Sequence, residues 1–251
     1  MVSVSEFRYG QSDDQSADLY LPPSPARGVI CLLHGGFWRT PYDRKELGSL
    51  AADLSGRGYA IWNMEYRRLG SGGGWPSSFL DVAAGIDHLS SLVKQGIALP
   101  LDKVVVAGHS AGGHLALWSA ARARFSATAE ERVHIHAVVG LAPIADLVAA
   151  HEAGLAHDAV AELLAGSPQD VMSRYRTACP RLLLPLRTKQ LLIHGANDDV
   201  VPAQMSRSYA KAARKAGDDV RLIEVAGAGH MDFLEPQSEA NDRFRDWLGT
   251  L

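Results

Sequence analysis

The stretch Val104-Val105-Val106-Ala107-Gly108-His109-Ser110-Ala111-Gly112 decides the fold. It joins a short apolar run to a Gly-x-Ser-x-Gly pattern, which predicts a strand that turns sharply into a helix with the serine at the apex. The residues two before and two after the serine come close together in such a turn, so glycine is favoured at Gly108 and Gly112. The pattern alone also fits a glycine-rich loop after a strand. A catalytic interpretation therefore needs the other parts of a site.

Composition limits the classes of protein to consider. The chain has 251 residues, of which 47% are hydrophobic and 21% are charged, as is typical of a globular protein. This length allows one large domain or two small ones. The 25 basic and 28 acidic side chains leave a formal charge of -3. Because this near balance offers no electrostatic attraction to polyanions, we expect neither a nucleic acid nor a membrane as partner, but a small-molecule substrate.

The N-terminal residues and the cysteines favour a reducing, cytoplasmic location. Residues 1–6 lack the basic stretch followed by an apolar stretch that marks a secretory signal. No apolar run approaches the roughly 20 residues that span a bilayer. The two cysteines, Cys31 and Cys179, lie far apart in the sequence and form neither a disulfide framework nor a thiolate metal site. We expect both thiols to be buried or inert.

Strand and helix patterns alternate along the chain. Strands are predicted at Val4–Tyr9, Asp18–Leu21, Val29–Leu33, Tyr59–Met64, Lys103–Ala107, Val133–Leu141, Gln190–Ile193 and Val220–Val225. Helical spacing of apolar residues occurs at 47–54, 79–93, 113–123, 203–216 and 240–251. This alternation predicts an α/β fold with a mostly parallel, twisted sheet and helices on both faces.

The segment from Pro143 to Arg187 shows weaker periodicity than the rest. Short helical pieces there are interrupted by glycine and proline, and no linker divides the chain on either side. We therefore expect a single domain over residues 1–251, with residues 143–187 forming a small lid-like insertion over the active site.

A serine nucleophile needs a base, which is usually an imidazole oriented by a carboxylate. In a sheet of this kind the catalytic groups lie beyond the carboxyl ends of the strands. His230 follows the strand Val220–Val225, with glycines at 227 and 229 that let its loop approach the serine. Asp198 and Asp199 both follow Gln190–Ile193, and the residues alone leave the choice of acid between them open. The order serine, aspartate, histidine is the one expected for this type of turn.

The oxyanion formed during acyl transfer needs preorganised hydrogen-bond donors. One expected donor is the backbone N–H of Ala111, directly after the serine. The others are expected in the loop His34-Gly35-Gly36-Phe37-Trp38 after the strand Val29–Leu33, with Gly36 and Phe37 as donors. Four separate pieces in the required order indicate a serine hydrolase far more specifically than any one of them.

Other chemistries have weaker support. The glycine-rich segment 70–75 lacks the final glycine of a dinucleotide-binding loop and the Lys-Ser/Thr ending of a P-loop. His134 and His136 fall in a predicted strand where both rings share one face, but no third metal ligand accompanies them. His151 and His157 form a second pair that could in principle bind a metal. We therefore expect structural or surface roles for all four, no metal and no cofactor.

These motifs together resemble the α/β-hydrolase family over essentially the whole chain. Within it, the sequence is similar to the kynurenine formamidase (arylformamidase) and small carboxylesterase branch. The resemblance rests on His34-Gly35-Gly36-Phe37-Trp38, Gly108-His109-Ser110-Ala111-Gly112-Gly113-His114, His194-Gly195-Ala196-Asn197-Asp198 with Val201-Pro202, and Gly229-His230. Glu65-Tyr66-Arg67 resembles an Asp-Tyr-Arg segment of related esterases, with glutamate as a departure. The resemblance places Asp198 at the acid position.

The resemblance implies hydrolysis of a small ester or amide, first of all an N-formylkynurenine-type aryl formamide. A short-chain carboxylesterase with another substrate is the alternative within this class. A hydrolase-fold protein that binds a ligand without catalysis is the alternative outside it. Trp38 and Trp75 are expected to line an aromatic substrate pocket. The sequence leaves the oligomeric state open, and a homodimer is compatible with it.

Overall fold

The computed structural model describes residues 2–125 and 132–251 and contains one eight-stranded sheet. In chain order the strands are β1 Ser3–Arg8, β2 Ser16–Leu21, β3 Val29–Leu33, β4 Ala60–Met64, β5 Val104–His109, β6 Ala137–Leu141, β7 Lys189–Gly195 and β8 Val220–Val225. They pair in the order β1-β2-β4-β3-β5-β6-β7-β8. The first two strands run antiparallel to their neighbours, and all pairs from β4 to β8 are parallel.

The described helices are α1 Gly48–Gly56, α2 Ser77–Lys94, α3 Ala111–Ser119, α4 Leu147–Glu152, α5 Ala159–Leu164, α6 Pro168–Ala178, α7 Ala203–Lys215 and α8 Glu239–Leu248. They cover both faces of the sheet. Alternate residues of each central strand point to opposite faces, so each face has its own apolar cluster. Ile30 and Leu32 of β3 pack in the apolar cluster that includes α1 and α8. Cys31 and Leu33 pack in the cluster on the other face, which includes α2, α3 and α7. The predicted mostly parallel α/β architecture is confirmed.

The sixth strand begins later than its sequence pattern indicates. We predicted a strand from Val133, but it begins at Ala137, and residues 132–136 have no regular structure. His134 is exposed there, and His136 contributes a backbone N–H to the carbonyl of Val104 at 2.8 Å. The two rings therefore do not share a strand face, and that part of the prediction is wrong.

The segment 143–187 folds into α4, α5, α6 and a short 3₁₀ turn at its end. It is attached to the loops that follow β3 and β4. Arg39 donates to Glu162 at 2.8 Å and to the carbonyl of Ala156 at 3.1 Å. The backbone N–H of Trp75 donates to the carbonyl of Leu163 at 2.7 Å. That residues 1–251 form one domain stays a prediction.

Candidate active site

Ser110 occupies a strained turn between β5 and α3. Its φ of 55° and ψ of -116° lie outside the regions that L-residues ordinarily adopt. Three hydrogen bonds hold this conformation: its N–H donates to the carbonyl of Leu141 at 2.8 Å, and its carbonyl accepts from His114 at 3.1 Å and Ile144 at 3.3 Å. The side chain is therefore presented at the carboxyl end of β5 by a fixed backbone.

Glycines allow this turn to pack closely. A Cβ on Gly108 would collide with the carbonyl of Gly112, and a Cβ on Gly112 would collide with the carbonyls of Leu33 and His34. The predicted close approach of the two glycines is confirmed. The contact of Gly112 with the end of β3 also brings the serine turn against the glycine-rich loop.

His230 and Asp198 meet at the same end of the sheet. The Nδ1–H of His230 donates to Oδ2 of Asp198 at 2.7 Å, which leaves Nε2 as the ring's proton acceptor. The Asp198 side chain is fully buried, whereas Asp199 is exposed to solvent. The structure thus brings Asp198, and not Asp199, to the histidine. Asp232 instead accepts from the N–H of Gly229 within its own loop.

A second histidine fixes Asp198 from the other side. Nε2 of His194 lies 3.2 Å from Oδ2 of Asp198 and 2.8 Å from the carbonyl of Val201, so this nitrogen carries the proton. Nδ1 of His194 then accepts from the hydroxyl of Ser206 at 2.7 Å. The other oxygen of Asp198 accepts from two backbone N–H groups of the loop that ends at Val201. Every face of the carboxylate is therefore constrained.

These contacts determine the charge on Asp198. Burial alone would raise the pKa of its carboxyl, but the hydrogen bonds from His194 and His230 outweigh burial and hold the pKa well below the ordinary value. The carboxylate is therefore ionised at neutral pH. It is suited to stabilise an imidazolium at His230.

The loop after β3 lies against the serine turn, because a Cβ on Gly35 would meet the side chain of Ser110 at 3.2 Å. Gly36, Phe37 and Trp38 all have positive φ, at 87°, 52° and 58°. The carbonyl of Gly36 accepts from the N–H of Arg39 at 2.9 Å. Because the Gly36–Phe37 peptide is trans, the Phe37 N–H points opposite to that carbonyl, away from Arg39. Gly36 and Phe37 both border the cavity that contains Ser110.

A buried pair supports this loop from behind. His34 is fully buried and its Nε2 lies 2.7 Å from Oε1 of Glu65, while its Nδ1 lies 3.0 Å from the carbonyl of Gly35. The hydroxyl of Tyr66 donates to the His34 carbonyl at 2.9 Å, and its ring stacks on the imidazole. Burial would raise the pKa of Glu65, but the bond from His34 lowers it below the ordinary value. The departure to glutamate therefore gives a carboxylate that anchors the loop.

Ser110 and His230 share one cavity of about 200 Å³. Its lining residues are Gly36, Phe37, Tyr42, Glu46, His109, Ser110, Val200, His230 and Met231. Ser110 is 2% and His230 is 6% exposed, so the two groups lie largely shielded from bulk water. The sequence-predicted nucleophile, base and loop residues are thus brought together.

Two expectations about the substrate pocket need correction. Trp38 is fully buried and meets the ring of His114 edge-on in the core. Trp75 packs edge-on against Phe79 and borders a separate groove. Within the described ranges, no residue of 143–187 lines the Ser110 cavity, and a lid-like role for that segment stays a prediction. Trp38 points into the core because the residues 36–38 have positive φ, and this left-handed turn redirects the side chain that follows the glycines.

Several contributors to the site could not be assigned from the sequence. The sequence pattern gives His194 no role beyond the start of the acid loop, yet it contacts Asp198. His109 donates from Nε2 to the backbone carbonyl of His230 at 2.9 Å, and its ring lies 4.6 Å from the His230 ring. Glu46 borders the cavity, although no sequence motif marks it. The four-residue spacing of His194 and Asp198 was the one signal available, and the other contacts are long-range.

Two buried histidines are expected to make the free energy of unfolding depend on pH in the acidic range. Burial lowers the pKa of His109 to about 3 and that of His114 to about 4. Between these values and the ordinary histidine pKa of about 6.5, the unfolded chain binds protons that the folded chain excludes. Stability is therefore expected to fall as the pH drops below about 6.5.

We predict that His114→Gln reduces this pH dependence. Glutamine can still donate to the carbonyl of Ala178, which His114 Nε2 contacts at 2.9 Å, but it does not titrate. The free energy of unfolding, measured by urea denaturation between pH 4 and 6.5, should show a slope smaller by up to about one proton. The matched control is His134→Gln at an exposed position. An unchanged slope in the His114 variant would refute the assignment.

Within residues 2–125 and 132–251, no group of three or more His, Cys, Asp or Glu side chains is arranged to hold a metal ion. Over the same residues, no helix combines the length and apolar character needed to cross a bilayer. Cys31 and Cys179 are buried and unpaired, as expected.

The sheet order, the strained serine after β5 and the polar groups after β7 and β8 define an α/β-hydrolase fold. The BD-FAE family model matches residues 17–212, and the chain belongs to this family. Esterase B of Lactobacillus rhamnosis has a TM-score of 0.84 at 23% identity, covering 100% of this chain and 84% of that one. This likeness confirms the fold.

Two curated relatives are similar in sequence. A probable isoprenylcysteine alpha-carbonyl methylesterase of Oryza sativa subsp. japonica is 27% identical over 90% of this chain and 58% of its own length. Esterase LipC of Mycobacterium tuberculosis is 26% identical over 90% of this chain and 59% of its own length. The chain thus spans just under three-fifths of each of these relatives.

Proposed function

We propose that the protein is a serine esterase that cleaves small carboxylic esters through an acyl-enzyme. The observation that carries this proposal is the shared cavity of Ser110 and His230, with Nδ1 of His230 bonded to a buried, ionised Asp198. A nucleophile, a base with a free Nε2 and a fixed acid are the parts that acyl transfer requires.

The reaction proceeds in two steps. Oγ of Ser110 attacks the ester carbonyl while Nε2 of His230 accepts its proton, and Asp198 stabilises the resulting imidazolium. The backbone N–H groups of Ala111, Gly36 and Phe37 hold the negative oxygen of the tetrahedral intermediate. The imidazolium then protonates the departing alcohol, which leaves the acyl-serine. Water, deprotonated by His230, attacks that ester, and collapse of the second intermediate releases the acid and restores Ser110.

Esters are favoured over aryl formamides as substrates. The curated relatives are esterases by name, and none of the relatives compared is named as a formamidase. Neither tryptophan expected to recognise an aromatic formamide lines the cavity. The volume of about 200 Å³ is below the roughly 300–1,000 Å³ of ordinary ligand pockets, which favours short acyl groups.

We predict that kcat/KM is highest for short esters. The measurement compares p-nitrophenyl acetate, butyrate and octanoate with N-formylkynurenine, each rate being divided by its uncatalysed rate in the same buffer. Acetate or butyrate is expected to exceed both other substrates by about tenfold or more, because longer acyl groups outgrow the cavity. The Ser110→Ala variant gives the background. Preference for N-formylkynurenine would restore the formamidase hypothesis, and no turnover of any substrate would favour a non-catalytic binding protein.

A further inference from the structure

The wall of the Ser110 cavity contains a carboxylate that the acyl-transfer chemistry does not use. Glu46 lies in the 3₁₀ turn Arg44–Leu47, is half-buried, and lines the cavity together with Ser110 and His230. Among the residues that the structure describes, none forms a hydrogen bond or an ion pair with its side-chain oxygens. A half-buried carboxylate that has no partner and borders the cavity of the nucleophile is a candidate for contact with the substrate.

The neighbouring basic side chains are already engaged with other acids. Arg44 donates to Asp18 at 2.9 Å and to Glu6 at 2.7 Å, and Lys45 lies 3.7 Å from Asp43. The imidazole of His34 is bonded to Glu65. None of these basic side chains pairs with Glu46, and Glu46 borders the cavity.

The surroundings of Glu46 are those of a cation site. Burial, followed by the nearby charges of Asp43 and Glu65, raises the pKa of Glu46, while His34 opposes this effect. A cation bound beside the carboxylate would favour its ionised form and so oppose the effects of burial, Asp43 and Glu65. The cavity also has the aromatic side chains of Phe37 and Tyr42 in its lining, and aromatic faces attract ammonium groups.

We propose that Glu46 is a specificity-determining residue that selects esters carrying a cationic ammonium group near the scissile bond. This inference rests on the proposed esterase function, since it names the substrate class of the same cavity. The carboxylate attracts the ammonium group during binding and in the transition state, and it repels esters with an anionic group at that position.

The test compares two esters of matching shape, acetylcholine and 3,3-dimethylbutyl acetate, which differ in the positive charge. The ratio of their kcat/KM values isolates the charge, because Ser110, His230 and Asp198 act on both. We expect the native protein to prefer the cationic ester, and Glu46→Gln to lower the ratio by about tenfold. The matched control is Glu152→Gln, which removes the same charge at an exposed position outside the cavity and should leave the ratio unchanged.

A binding measurement that needs no turnover completes the test. Calorimetric titration should show that choline binds the native protein more tightly than 3,3-dimethylbutanol does, and that Glu46→Gln abolishes the difference. The role of Glu46 would be overturned if the kcat/KM ratio of the two esters in the Glu46 variant were within twofold of that in the native protein. Equal binding of the two alcohols by the native protein would overturn it as well. Loss of all ester hydrolysis with charge-selective binding retained would instead overturn the esterase function alone.

Discussion

Ser110→Ala is expected to lower kcat/KM for a short ester by about 10³-fold to 10⁶-fold. The variant lacks the only oxygen that the proposed reaction acylates, and His230 then has no hydroxyl to deprotonate. The backbone bonds to Leu141, His114 and Ile144 do not involve the hydroxyl, so the turn and the fold should remain. Steady-state kinetics on p-nitrophenyl acetate, with thermal unfolding recorded in parallel, measures both effects.

The matched control for this variant is Ser119→Ala. Ser119 is the last residue of α3, the helix that follows Ser110, and its hydroxyl donates to the carbonyl of Ala116 at 2.7 Å. Its loss should leave kcat near the native value. Near-native turnover in the Ser110 variant would show that another group attacks the substrate.

Asp198→Asn is expected to lower kcat by about 10²-fold to 10⁴-fold. The amide NH₂ cannot accept the proton that His230 Nδ1 now donates at 2.7 Å, and a neutral side chain cannot stabilise the imidazolium. His194 also contacts this oxygen of Asp198, so the substitution weakens a second histidine contact as well. The effect should fall mainly on kcat, because the carboxylate does not line the cavity.

Asp199→Asn is the matched control, since it removes the same charge one residue away at an exposed position. We expect kcat/KM to change by less than about twofold. A larger loss at Asp199 than at Asp198 would contradict the assignment of the acid.

The order of the polar loops and the central strands were readable from the sequence. Val29–Leu33 and Val220–Val225 were predicted with the bounds that the structure shows. The strand before Ser110 is a continuous apolar run, as buried parallel strands are, and the glycines beside the serine have a direct steric reason. Strong local patterns therefore identified the elements that position the site.

What the sequence could not supply depends on contacts between distant segments. Glu65 contacts His34, which lies thirty-one positions away in the sequence. Glu46 lies in a short 3₁₀ turn, which has no periodic pattern that a sequence could show. The helices α4 and α5 have six residues each, too few for a clear period. The direction of Trp38 follows from positive φ values that residue types do not reveal.

The central claim is that Ser110 is the nucleophile, and covalent labelling with an uncharged fluorophosphonate tests it most directly. Cleavage after Lys103 and Arg122 releases the peptide 104–122, which carries Ser110 and Ser119, and fragmentation distinguishes the two serines. We predict one phosphonyl group per chain, located on Ser110, with loss of esterase activity in proportion to labelling. An active protein that stays unlabelled, or an inactivating adduct on any other residue, would contradict the claim.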